Sequence, residues 1–165
     1  MELREYISSD SEQITSWIRD EESLYMWSAD RICKFPLDGN ELDLEYKSVP
    51  PSVPMFPMTA VDVKGQVIGH ILIRFPDESH SVARLGFVIV APELRGKGYG
   101  QILVRLALQY IRSNFDVKRV TLGVFARNKA AFECYRSCGF KPYGEISPYE
   151  MPIGTWDLIE MEQYL

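Results

Sequence analysis

The chain has 165 residues, 46% hydrophobic and 25% charged, with a formal net charge of -5. That length and composition fit one globular domain with a full-sized core, read as residues 1–165. They exclude a membrane-spanning helix, since no apolar run approaches roughly 20 residues, and the acidic balance argues against nucleic-acid binding, which needs a basic face.

The first residues, MELREYISSDSEQ, lack the basic start and apolar middle of a signal peptide, so a cytoplasmic location is expected. Asp10 or Ser11 can cap a helix through Arg19, with Ile14, Trp17 and Ile18 on one face. Glu21 to Ser28 reads as a second helix and Asn40 to Lys47 as a third. The stretch VPPSVPMFP, Val49 to Pro57, holds four prolines and reads as an extended loop. MTAVDV, a KGQ turn and VIGHILIRF form a hairpin. SVARLGFVIV is a further strand, nearly continuous in apolar residues at its end and therefore central. Gly98 to Phe115 is a strongly periodic helix, VTLGVF a strand, and Asn128 to Cys138 a helix closed by Gly139. FKPYGEI and TWDLIEMEQYL end the chain as strands. This order predicts a mixed α/β sheet.

The chain carries three cysteines, Cys33, Cys134 and Cys138. The odd number suits a reducing compartment, and neither they nor His70 and His80 have zinc-type spacing, so no metal is expected.

The informative segment is VAPELRGKGYG, Val90 to Gly100, between a strand and a helix. The first amides of a helix lack intrahelical partners and carry the positive end of its dipole, which together bind phosphate. Gly96, Gly98 and Gly100 bring no β-carbon, so a diphosphate can approach the backbone. Arg95 and Lys97 add charge, Arg95 as a planar fork. The Walker pattern fails because GK is followed by Gly. The dinucleotide fingerprint fails because the spacing is GxGxG in a chain without repeated βαβ units.

VxPxxRGxGxG after an apolar strand resembles the coenzyme A motif of the GNAT superfamily of N-acetyltransferases. Downstream, NKAAFECYRSCGF resembles that family's NxxAxxxYxxxGF segment. Order and separation fit across nearly the whole chain. WIRDEESLYMWS followed by FPL further resembles the subgroup that includes ribosomal-protein N-terminal acetyltransferases.

The resemblance implies the GNAT fold: a mixed, mostly antiparallel twisted sheet flanked by helices, with splayed central strands. It implies acetyl-CoA as cosubstrate. Main-chain groups of Val88, Ile89 and Val90 would pair with the pantetheine arm, and Arg95, Gly96, Lys97, Gly98, Tyr99 and Gly100 would hold the pyrophosphate. Asn128 would cap its helix, contact the cofactor arm, or both. Tyr135 would give a proton to the departing sulfur, with Cys134 pointing elsewhere on the helix. The developing oxyanion would meet a strand amide such as that of Val90.

No base is assigned. The strand before the motif carries Arg84 and no acid, and Glu22, Asp77 and Glu78 are loop candidates that equally read as solvated surface. A water chain, or an α-amino group of pKa roughly 8, removes the need. Trp17, Tyr25, Trp27, Phe35 and Phe56 can frame the amine pocket or simply fill the core. Tyr143 and Tyr149 are similarly open, and Asp20, Glu21 and Glu22 can attract a cation. The acceptor implied is a primary amine, on a small molecule or a protein N-terminus. A homodimer through the last strands stays open, as does the rival reading of a non-catalytic acyl-CoA-binding module.

Overall fold

The computed structural model describes residues 1–32, 34–50, 54–76 and 80–165. Cys33, Asp77 and Glu78, named above, lie outside the described residues, as do 51–53 of the proline-rich stretch. The elements in chain order are β1 (Glu2–Glu5), α1 (Ser11–Thr15), α2 (Glu21–Ser28), α3 (Gly39–Ser48), β2 (Met55–Val61), β3 (Val67–Arg74), β4 (Val82–Val90), α4 (Tyr99–Asn114), β5 (Arg119–Phe125), α5 (Lys129–Ser137), β6 (Lys141–Pro142), β7 (Ser147–Met151) and β8 (Gly154–Tyr164). Among the described residues the strands form one eight-stranded sheet in the order β1-β2-β3-β4-β5-β8-β6, with β7 paired to β8. Only β4 and β5 run parallel; the other pairs are antiparallel. The expected mixed, mostly antiparallel sheet flanked by helices is therefore present.

One sheet face packs on α4, whose Leu103, Val104, Ala107 and Ile111 lie against Ile71, Ile73, Leu85 and Leu122. The other face takes the amino-terminal helices through Ile14, Trp17, Leu24 and Leu42, packed with Leu72 and Phe87.

The departures from the expected elements have local causes. The first helix stops at Thr15, not Arg19. Thr15 Oγ1 donates back to the Ser11 carbonyl and Ser16 Oγ to that of Gln13, and such local bonds compete with helix continuation. The strand β1 was not expected, because ELRE is too short and polar to read as one. Met55 to Pro57 belong to β2 instead of a loop. The Tyr6 N–H donates to the Pro57 carbonyl, so the Pro57 nitrogen faces that same side, beyond the end of the β1 ladder at Glu5, where its missing donor matters least. FKPYGEI yields only the two-residue β6, and the unforeseen SPYEM strand β7 forms a hairpin with β8.

A buried acid ties β1 and α1 to the sheet. Asp10 accepts both arms of the Arg4 guanidinium at 2.7 Å, the Ile7 N–H at 3.1 Å and the Thr59 hydroxyl at 2.8 Å. Burial pushes its carboxyl up, but the Arg4, Ile7 and Thr59 bonds together hold it below the usual carboxylate range. The stability it contributes is present above the unfolded pKa, roughly 4, and is lost as pH falls through the lower folded value. Asp10→Ala should cost about 3 kcal/mol at pH 7, read as a melting temperature about 6–12 °C lower. The difference should shrink steadily in melts repeated below pH ~4; a constant difference would contradict this account.

Candidate functional site

The parallel ladder between β4 and β5 runs only from Val82↔Arg119 to Arg84↔Thr121. Beyond it the strands part. Ala91 donates to the Ile68 carbonyl at 3.0 Å, which makes Val90 and Gly69 an open pair of the β3–β4 ladder. The N–H and C=O of Val90 thus point away from β3, into the space that β5 has left. Arg95 Nε donates to that carbonyl at 3.2 Å.

Among the described residues two clefts meet here. The first, about 610 Å³, runs from the end of β4 to the starts of α4 and α5. Gly96 and Gly98 stand there at φ +73° and +84°, and a β-carbon on either would enter open space. Among the described residues the N–H groups of Gly96, Gly98, Tyr99 and Gly100 reach no backbone acceptor. Free amides at the start of a 16-residue helix, beside the Arg95 guanidinium, are the donor set a diphosphate needs. Coenzyme A fits this glycine cleft in charge and in backbone access.

The second cleft, about 620 Å³, lies between α2, β3, β4, β5 and β8. Arg31, Arg74, Arg84 and Arg119 line it, with Glu160 as the one carboxylate among the described lining residues. Both Glu160 oxygens are taken by Arg84, at 2.6 and 2.7 Å, so the cleft offers no unpaired carboxylate among its described lining residues. His70 is no base either: it is fully buried, burial holds its pKa down to about 3, and its Nε2 lies 2.6 Å from the Tyr46 hydroxyl.

Met26, Trp27, Val88, Asn128, Ala131 and Tyr135 line both clefts and form the throat between them. The Asn128 side chain accepts the Ala131 N–H at 3.1 Å, so it does cap α5. Tyr135 is buried, 8% exposed, and its hydroxyl has no hydrogen-bond partner among the described residues. Burial first, then the thiols of Cys134 and Cys138, push its phenol pKa well above the ordinary value. It is a protonated donor in the throat at any ordinary pH.

Of the expected cofactor residues, Val88, Ile89, Val90, Arg95, Gly96, Gly98, Gly100 and Asn128 line the glycine cleft. Lys97 and Tyr99 sit beside it, outside the lining, and Tyr99 packs on the core. Gly100 has a second reason to be glycine: its β-carbon would lie 3.3 Å from Cys134 Sγ. Cys134 therefore does not point elsewhere but lines the same cleft. Its Cys138 contact and burial hold its thiol protonated. Trp17 and Trp27 reach the clefts, whereas Tyr25 is core and Phe56 packs on Phe75 and Phe115. Phe35 lines neither cleft; Tyr143 and Tyr149 line the arginine cleft. Asp20 caps α2, and Glu22 is exposed and paired with Arg127 at 3.0 Å. The sequence reading missed Arg74 and Glu160, which no local motif marks.

The sequence profile of the Acetyltransferase (GNAT) family matches residues 12–140. The chain belongs to the GNAT family. Curated relatives of this GNAT protein include an N-acetylaspartate synthetase of Danio rerio, 31% identical over 90 residues, 54% of this chain and 31% of that one. A spermidine N(1)-acetyltransferase of Vibrio cholerae is 34% identical over 59 residues, 36% of this chain and 34% of that one. The matched segments thus span about a third of the curated relatives' length. Among solved structures, the spermidine N-acetyltransferase of Vibrio cholerae in complex with CoA and spermine superposes with a TM-score of 0.81 at 21% identity, covering 98% of this chain and 94% of that one. The GNAT fold is shared.

The left-handed backbone at Gly98, the residue preceding α4, makes a stability prediction. Gly98→Ala should cost about 1–2 kcal/mol from its φ alone, a melting temperature about 2–8 °C lower. Lys97→Ala, exposed and unpaired among the described residues, should stay within about 0.5 kcal/mol of wild type in the same thermal melts.

Proposed function

We propose that this GNAT protein is an acetyl-CoA-dependent N-acetyltransferase. The acetyl group passes directly to a primary amine held in the arginine cleft. The observation that carries the reading is Tyr135: a buried, protonated phenol with a free hydroxyl, at the throat between a diphosphate-type cleft and a separate substrate-sized one.

Acetyl-CoA supplies an acyl group activated as a thioester. The residues of the chain do the rest. The amides of Gly96, Gly98, Tyr99 and Gly100 and the Arg95 guanidinium hold the diphosphate. The last residues of β4 receive the pantetheine arm on the edge that β5 leaves open. The Val90 N–H, aimed into that gap, stands as a donor for the carbonyl oxygen where charge develops. Tyr135 holds the proton for the departing sulfur. Cys134 stays a thiol and takes no acyl group.

The names of the relatives support acetylation at nitrogen, one on spermidine and one giving N-acetylaspartate. The WIRDEESLYMWS stretch keeps an α-amino terminus, as in the ribosomal-protein subgroup, among the acceptors. A single domain over 1–165 acting in the cytoplasm, alone or as a dimer through its last strands, completes the reading.

Tyr135→Phe should lower kcat by about 10²- to 10³-fold and leave the calorimetric affinity for CoA unchanged. Thiol release from acetyl-CoA with an amine panel is the assay. Unaltered turnover would remove Tyr135 from the acid role. Uptake of acetyl-CoA without thiol release from any amine would leave a binding module instead.

A further inference from the structure

The arginine cleft presents an excess of cationic groups that the fold does not neutralise. Arg74 and Arg84 are direct cross-strand partners on β3 and β4, and like charges so placed oppose each other. Arg84 is satisfied by the Glu160 fork, with N···O distances of 2.6 and 2.7 Å. Arg119 turns to Glu162, with Nε at 2.7 Å. The guanidiniums of Arg74 and Arg31 have no hydrogen bond and no ion pair among the described residues. Asp30, beside the cleft, is engaged by the Tyr149 hydroxyl. Burial, then the charges of Arg31 and Arg84, press the Arg74 pKa down to about 10, so at neutral pH it remains a cation held against repulsion.

A partly buried guanidinium without a counter-ion is costly, and a planar carboxylate is the partner its fork fits best. The cleft already holds one such pair, Arg84 with Glu160, one strand away. A polycation entering here would meet four guanidiniums and one occupied carboxylate among the described lining residues.

We infer that the acceptor carries a carboxylate near its amine, that Arg74 and Arg31 bind that carboxylate, and that polyamines are poor acceptors. This deepens the acetyltransferase reading and rests on it. Arg74 is a specificity-determining residue: it fixes the acceptor by the carboxylate end and leaves the amine toward Tyr135. The aromatic walls, Tyr143, Tyr149 and Phe125, suit the apolar body of an amino acid.

Matched amines test it. Thiol release from acetyl-CoA is followed with L-phenylalanine against 2-phenylethylamine, L-leucine against 3-methylbutylamine, and spermidine. The carboxylated member of each pair should show a kcat/KM about tenfold or more above its partner and above spermidine. Arg74→Gln should raise the KM for the carboxylated acceptor about tenfold, leave the KM for acetyl-CoA unchanged and not lower the melting temperature. Arg31→Gln, at an exposed position, should act in the same direction. Preference for spermidine or the decarboxylated amines, or a preference unchanged in Arg74→Gln, overturns the inference while the transferase reading survives. Calorimetric titration of the same pairs into CoA-saturated protein separates the two. Carboxylate-selective binding lost in Arg74→Gln, without thiol release from any amine, upholds the anion site and removes the transferase reading. No binding of either carboxylated member overturns the inference.

Discussion

Everything functional in this molecule depends on β4 leaving β5 after Arg84. A sheet interior with unpaired main-chain groups is costly, each buried unmet donor or acceptor being worth about 1–3 kcal/mol. The separation must therefore be enforced. On one side, β5 is committed to β8 along its full length, Arg119 to Phe125. On the other, β4 carries an extra residue: Gly86 faces Leu72 and Ile89 faces His70, so Phe87 and Val88 share the place opposite Ile71. Phe87 sits there at φ +50°, a conformation that costs a bulky residue about 1–3 kcal/mol. Its ring is held by Trp27 at 4.8 Å and Tyr46 at 6.3 Å. The packing that absorbs this strain also brings Trp27 to the throat, so the bulge and the site are one construction.

What the sequence made legible is what local chemistry determines. The glycine turn, the periodic α4, the Asn128 cap and the Tyr135 position each follow from a short run of residues, and each lies where a helix start or a helix face puts it. The expectations that failed did so where side chains or distant partners decide. Hydroxyls ended α1 early, and the ladder to β2 made a strand of ELRE. The charge pattern of the arginine cleft was hidden for the same reason. Arg74, Arg84 and Glu160 come together only through strand register, and the Arg84–Glu160 pair joins residues 76 apart in the chain.

The face of α5 shows how fine this distinction is. Asn128, Ala131 and Tyr135 follow one stripe, and Cys134 lies three residues from Ala131 as Tyr135 lies four. Both positions border the glycine cleft, and spacing alone does not separate them. Their surroundings do. Cys134 is pressed against Gly100 and hydrogen-bonded to the Cys138 thiol, and that contact with burial keeps it protonated. Tyr135 keeps an unshared hydroxyl.

Electrostatics then bears on the missing base. A transferase of this kind needs its acceptor amine neutral, and in the arginine cleft the one described lining carboxylate, Glu160, is already paired with Arg84. A like charge within about 4–6 Å disfavours a protonated amine. In a cleft lined by guanidiniums, an ammonium is the form that suffers, and its proton is lost to water more readily than in bulk solvent. Arginine is the side chain suited to this work, because it keeps its own charge where a lysine gives it up. The guanidiniums that would hold an acceptor by its carboxylate would also disfavour the charged form of its amine wherever the nitrogen lies within that range.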